Sequence, residues 1–245
     1  MDKEPGLMEK KELLRSGVTA DCYALDEENR MLVLRKDAVL DEASGAWAEV
    51  PGKGAVCSRM TAHLYRQLEA KGIRTAFVEE VTDTECVFRR TEEFPFLVKV
   101  RNYAAGSYVK RTGLAEGTAL AVPAAELRYL KEGLGLPMIN GYDVLAMKLA
   151  GEAEIEEIVK TAFAVNEALT ACFRAQKTDL IDVTLRFGKE KEEIFVTGEL
   201  SPDTMRLWDA GTHEKLDADR FRRGLGNVED AYREVMRRLE EHETI

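Results

Sequence analysis

Arg101, Ser107 and Arg206 are of the residue types that hold a phosphate. Arg101 ends an apolar segment and precedes a Gly-Ser turn, so its guanidinium fork and the Ser107 hydroxyl and amide are placed to meet one phosphate. The amide belongs to a predicted helix start, where anions are favoured. Arg206 follows a Ser-Pro-Asp turn and offers a second fork. For any one of them alone, the ordinary alternative is a surface arginine capping local carbonyls. Three carboxylates accompany them. Asp182 falls in an apolar run, where a charge needs partners to be tolerated, and Glu199 and Asp203 flank Ser201-Pro202.

The elements that must position these groups are legible in outline. Residues 19 to 36 alternate around Tyr23, Leu25, Met31, Val33 and Leu34, with Asp26 to Asn29 at the turn, which predicts a hairpin. Ser58 to Lys71 spaces Met60, Leu64 and Leu68 four apart and stops at Gly72, an amphipathic helix with a glycine stop. Thr75 to Arg90 and Phe96 to Val100 read as strands. Ser107 to Thr112, Ala124 to Leu130 and Gly141 to Leu149 read as short helices. Ile155 to Gln176 repeats apolar residues at helical spacing. Leu180 to Phe187 and Glu193 to Leu200 read as two strands, and Val228 to Glu241 as a closing helix. Trp208 reads as core. Asp219, Arg220 and Arg222 fit a solvated helix face as well as a site.

Composition narrows the function classes. With 245 residues, 45% of them hydrophobic, the chain can bury a sizeable core. Its net charge of −10 argues against a nucleic-acid wrapper while leaving room for a local basic pocket. No apolar run is long enough for a membrane span, and the charged start does not resemble a secretory leader, so the cytoplasm is expected. Cys22, Cys57, Cys86 and Cys172 are widely spaced, and His63, His213 and His242 are isolated, so no metal site is expected from them.

Four stretches resemble the SAICAR synthetase family, in that family's order. They are Thr82-Asp83-Thr84-Glu85-Cys86; Val100-Arg101-Asn102-Tyr103-Ala104-Ala105-Gly106-Ser107 continuing to Lys110-Arg111; Pro137-Met138-Ile139-Asn140; and Glu199-Leu200-Ser201-Pro202-Asp203 with Arg206-Leu207-Trp208-Asp209, running on to Asp219-Arg220-Phe221-Arg222. The resemblance covers residues 12 to 240. It implies an α+β, two-lobed fold related to ATP-grasp enzymes, with a β-rich N-terminal lobe (1–95) and a mixed C-terminal lobe (96–245) flanking the active site. It also implies ligation of aspartate to carboxyaminoimidazole ribonucleotide with ATP and magnesium, within purine biosynthesis. Arg101, Ser107 and Arg206 would bind the 5′-phosphate, while Asp182, Glu199 and Asp203 would act in catalysis. The expected partner is a small imidazole ribonucleotide, and homodimers are common in such families.

The chain departs from the family on the ATP side. Val18 and Ala20 stand where two lysines reach the ATP phosphates, Thr184 where a third lysine belongs, and Arg186 and Gly198 where two magnesium-binding carboxylates belong. Asp37 to Asp41 replaces an Asp-Thr-Ser-Ala type segment, Cys57 or Ser58 an asparagine, and Gly135-Leu136 a His-Asp pair. The charge changes at 18, 20, 184, 186 and 198 cancel. Arg186 is therefore expected to occupy space vacated by metal and lysine and to pair with Asp182 and Glu199; neutral decay is the alternative. Magnesium needs hard oxygen ligands, so no metal or ATP cofactor is assigned. Two other functions stay open beside the ligase: an ATP-independent enzyme on a related nucleotide, and a non-catalytic binding or regulatory paralogue.

Overall fold

The structure, a computed structural model, describes residues 10–27, 29–41, 44–131 and 133–241. Glu28 of the predicted turn, the first nine residues read for a leader, and His242 lie outside the described residues.

The chain opens with β1 (Leu13–Ser16), β2 (Ala20–Ala24) and β3 (Arg30–Arg35), then a ribbon of β4 (Ala38–Leu40) and β5 (Trp47–Glu49). Helix α1 (Lys53–Ala70) leads to β6 (Phe77–Thr82) and β7 (Glu85–Arg89). The predicted hairpin is β2–β3, in which Cys22 pairs with Val33, and both are buried. The first sheet is antiparallel, in the order β1-β2-β3-β7-β6.

Helix α1 begins five residues before the predicted Ser58. Its start is held from outside: the Asp37 carboxylate accepts the amides of Gly52 and Gly54, each at 2.8 Å, taking up donors that a helix start leaves orphaned. Gly54 has no room for a side chain, since a Cβ there would stand 2.8 Å from the Arg35 carbonyl oxygen. Met60, Leu64 and Leu68 face the core as their spacing predicts.

The second sheet is built on β9 (Phe96–Tyr103) and the long β12 (Thr178–Glu190). Between them in sequence come α2 (Ser107–Thr112), β10 (Ala119–Tyr129), β11 (Met138–Ile139), α3 (Gly141–Ala146) and α4 (Glu152–Ala175). The order is β11-β10-β9-β12. The first half of β12 also pairs with β14 (Met205–Asp209), and its second half with β13 (Glu193–Thr197) and β8 (Glu92–Glu93). Two more helices, α5 (Asp219–Arg222) and α6 (Val228–Glu241), close the chain. Helix α4 lays Ile158, Ala162, Val165, Leu169 and Phe173 on the sheet, so Phe96, Val98 and Val100 of β9 are covered and the opposite face of the strand is left for chemistry.

One predicted element is wrong in type. Ala124 to Leu130 is strand, not helix: residues 124–129 belong to β10, which pairs with β9 on one side and β11 on the other. The Ala-Ala-Glu-Leu run favours a helix locally, but the two flanking strands satisfy its backbone in extended form. Pro123 is accommodated where the register with β9 is interrupted, between Ala119 and Ala124. Among the described residues no helix is long and apolar enough to cross a membrane.

Candidate active site

Strand alternation puts Leu97, Lys99 and Arg101 of β9 on the face opposite α4. Antiparallel register then sets Asp182 of β12 beside Arg101, and Thr184 beside Lys99, while Arg206 of β14 pairs with Asp182 from the other edge. Asp182 is buried and held by three cations: Arg206 Nη1 at 2.8 Å, Arg101 Nη1 at 3.0 Å and Lys99 Nζ at 3.2 Å. Burial alone would raise its pKa, but Lys99, Arg206 and Arg101 outweigh that and hold the carboxyl well below the usual carboxylate range. Lys99 moves the other way. Burial lowers its pKa, Asp182 offsets part of this, and Arg206 and Arg101 add to the lowering, which leaves it at about 8.

The three residues assigned to phosphate do converge. Arg101 donates from Nη2 to the Ser107 hydroxyl at 3.0 Å, and Arg206 lies over Gly106, where a Cβ would stand 2.9 Å from its Nη2. Arg128, which the sequence reading missed, reaches the same hydroxyl at 3.2 Å. Its signal was lost because the stretch carrying it reads as helix; as a strand residue it shares the face of Glu126. Glu126 organises the arginines, accepting from Arg101 at 2.8 and 3.1 Å, from Arg128 at 2.7 Å and from Arg111 at 2.5 Å.

Arg101 itself is 1% exposed, with its donors already used by Glu126, Asp182, Ser107 and the Ala105 carbonyl. It is the brace of the cluster, while Arg128 and Arg206 keep 20% and 14% of their side-chain surface exposed. Asp219 accepts from Arg206 Nε at 3.0 Å and from Arg222 at 2.7 Å. Asp219 and Arg220 are buried, so the solvated-face reading of that helix fails for both. Trp208 is core, as expected.

The remaining two acids are committed to partners. Glu199 accepts from Arg35 Nη1 at 2.6 Å and from the Ser201 hydroxyl at 2.5 Å. Asp203 is bonded to the buried Lys53 and accepts the Tyr232 hydroxyl at 2.7 Å. Burial works against charge on both carboxyls. At Glu199 the pull of Arg35 and Lys53 prevails and its pKa falls; at Asp203 burial and the neighbouring Glu199 prevail and its pKa rises. Arg35 and Lys53 were not singled out in the sequence, because the acids they neutralise are 164 and 150 residues away.

Cys57, Glu199 and Asp203 bring ligand atoms within 4.8 Å of one another. Burial pushes the Cys57 thiol well up, and its soft sulfur is in any case a poor match for magnesium, which takes hard oxygen ligands. With both carboxylates already ion-paired, and with Arg186 and Gly198 at the positions expected to carry acids, these residues do not fit magnesium.

A cavity of about 390 Å³ joins these groups. All five positions expected from the resemblance to be altered, Val18, Ala20, Thr184, Arg186 and Gly198, line it together with Asp182, Glu199, Asp203 and Arg206. Arg101 and Ser107 do not line it; Arg101 adjoins it through the lining residue Asp182, and Ser107 through Arg101. Cys22, Met31, Val33 and Phe88 of the first sheet and Leu97 of the second give it an apolar part. Arg186 does not pair with Asp182 or Glu199 as expected. Its partner is Glu93, at 3.7 Å, because Arg35 and the Asp182 cluster have already satisfied the other acids.

Known proteins share this fold. The family model described as SAICAR synthetase matches residues 13–239. A phosphoribosylaminoimidazole-succinocarboxamide synthase from Lachnoclostridium phytofermentans is 41% identical over 95% of this chain and 99% of its own. Among solved structures, the synthase of that name from Ehrlichia chaffeensis superposes with a TM-score of 0.91 at 31% identity, covering 94% of this chain and 98% of that one. A SAICAR synthetase (Type-2) in complex with ADP superposes with a TM-score of 0.90 at 33% identity, covering 93% and 97%. Matched by the family model over most of its length and 41% identical to a relative covered almost end to end, the chain belongs to the SAICAR synthetase family.

Proposed function

We propose that the cleft binds a phosphoribosyl-imidazole nucleotide of the carboxyaminoimidazole or succinocarboxamide type. This is the substrate side of the reaction by which the family joins aspartate to carboxyaminoimidazole ribonucleotide with ATP. The observation that carries the reading is the meeting of Arg101, Arg128, Arg206 and Ser107 at one point beside the cavity, in a chain whose net charge is −10. The phosphate rests there on Arg128, Arg206 and Ser107, with Arg101 as their brace, and the base extends toward Lys99 and the apolar part of the cavity. Asp182 holds the cationic groups in place, and Glu199 and Asp203 close the far side. The active cleft divides a β-rich lobe, 1–95, from a mixed lobe, 96–245. A cytoplasmic homodimer is the setting that goes with this reading.

A second reading, a paralogue that binds the nucleotide without ATP-driven ligation, is favoured by the pairing of Glu199 with Arg35 and Asp203 with Lys53. Those pairs leave no carboxylate of the cluster free for magnesium, and without a cation at the transferred phosphoryl group much of the electrostatic help for ligation is missing. Purified protein incubated with carboxyaminoimidazole ribonucleotide and aspartate, with and without Mg-ATP, separates the readings. ATP-dependent formation of the succinocarboxamide product supports the ligase, binding of the nucleotide without turnover supports the paralogue, and absence of any nucleotide binding overturns both.

A further inference from the structure

Lys99 and Thr184 are direct partners across the β9–β12 ladder, and both line the cavity. Facing residues of an antiparallel pair project to the same side with their Cβ atoms about 5 Å apart. A long side chain from either position therefore delivers its end group to the same region of the cavity. Thr184 is short and leaves that region to Lys99. The resemblance expects a lysine at 184, so its absence is matched by an ammonium arriving from the neighbouring strand.

The surroundings of Lys99 show what it is free to do. Its ammonium contacts Asp182 Oδ1 at 3.2 Å, while Arg101 and Arg206 both use Oδ2 of the same carboxylate. Three cations thus share one acid, and among the described residues Lys99 is the one with no second carboxylate, whereas Arg101 also pairs with Glu126 and Arg206 with Asp219. An ammonium carries three donors, so two remain for a ligand. Unlike Arg101, which is 1% exposed, Lys99 retains 18% of its side-chain surface. It stands two residues before Arg101 on the same face of β9, roughly 7 Å from it along the strand. Arg101 marks the phosphate end, so Lys99 meets whatever lies one ribose further in.

We propose that Lys99 is a specificity-determining residue that binds the carboxylate on the imidazole ring of the nucleotide, bringing from β9 an ammonium to the region that a long side chain at 184 would reach from β12. This rests on the nucleotide reading given above. The geometry supplies a cation at each end of the ligand, the arginine cluster for the phosphate and Lys99 for the base, with Asp182 fixing their separation. The site then distinguishes the carboxylated nucleotide from the same nucleotide lacking that carboxylate.

The test is titration calorimetry in EDTA, without ATP, using carboxyaminoimidazole ribonucleotide and aminoimidazole ribonucleotide as the two probes. Lys99→Met is expected to weaken the carboxylated probe about 10- to 100-fold, the range for a hydrogen bond to a charged group. The probe lacking the carboxylate should change by less than about twofold. The exchange variant Lys99→Val/Thr184→Lys should recover most of the loss, and it also serves if Lys99→Met fails to fold. Equal weakening of both probes, no weakening of either, or an exchange variant that binds no better than Lys99→Met overturns the assignment of Lys99 alone. If the unaltered protein binds neither probe while its melting curve shows it folded, the nucleotide reading itself falls and this inference with it.

Discussion

Gly198 lies under the stem of Arg186: a Cβ at this glycine would stand 3.0 Å from Arg186 Cδ and 3.4 Å from its Cβ. The backbone there has φ +86°, a conformation that side chains rarely adopt. Two of the positions at which the resemblance leads one to expect other residues are therefore in contact, and an arginine at 186 goes with the absence of a side chain at 198. Gly198→Ala should destabilise the protein by about 1–3 kcal/mol, combining backbone strain with this contact. Arg186→Ala alone should change stability by about 0.5 kcal/mol or less. In the double variant the contact is relieved, so urea denaturation should show a loss smaller than the sum of the two. Strict additivity would mean that the two side-chain positions do not interact.

Arg128 and Arg101 should respond differently to removal. Arg128 shares Glu126 with Arg101 and Arg111, so Arg128→Ala leaves that acid paired, and the fold should hold. Binding of a phosphorylated imidazole nucleotide should weaken by about 1.5–3 kcal/mol. Arg101→Ala removes a buried brace from Glu126 and Asp182 together and should lower both affinity and melting temperature. Calorimetry paired with thermal denaturation distinguishes them. A large loss of stability in Arg128→Ala would show that it is structural.

Asp217 is fully buried, and burial, with Asp219 nearby, raises its pKa to about 7 against the pull of the Asp219 and Leu207 amides and of Arg206. A carboxyl whose folded pKa is raised binds its proton more tightly in the folded state. Its contribution to stability is fully present below about pH 4 and is lost as pH rises through about 7. The stability of the unaltered protein relative to Asp217→Asn should therefore fall across pH 4–7, with a slope of up to about 1.4 kcal/mol per pH unit. A difference that stays flat over this range would place the Asp217 pKa near its ordinary value.

Magnesium and ATP should give no joint stabilisation. A ligand raises the melting temperature only by binding the folded state, and here Val18 and Ala20 offer no charge to the phosphates while Glu199 and Asp203 are already ion-paired. Differential scanning fluorimetry with millimolar Mg-ATP should leave the melting temperature unchanged. A magnesium-dependent rise of several degrees would show that other residues, Lys99 and Arg186 foremost, have taken over the phosphates.

Much of this protein was determined by short stretches of its sequence. Arg101, Gly106 and Ser107 lie within seven residues and carry their turn with them, so their meeting follows from local geometry. Helices α4 and α6 follow from apolar spacing that one element can display alone, and α6 has the predicted bounds. The tertiary structure decided what depends on distant partners. Strand register set Lys99 opposite Thr184, and nothing in either strand alone announces that the two share one cavity. Ala124 to Leu130 became strand because β9 and β11 flank it, overriding a weak local preference for helix. The ion pairs of Arg35 with Glu199 and Lys53 with Asp203 join residues more than a hundred positions apart. Periodicity records which face of an element is apolar, whereas charge pairing is chosen by what the folded chain brings within a few ångströms, which is why the altered half of the cleft became readable only in three dimensions.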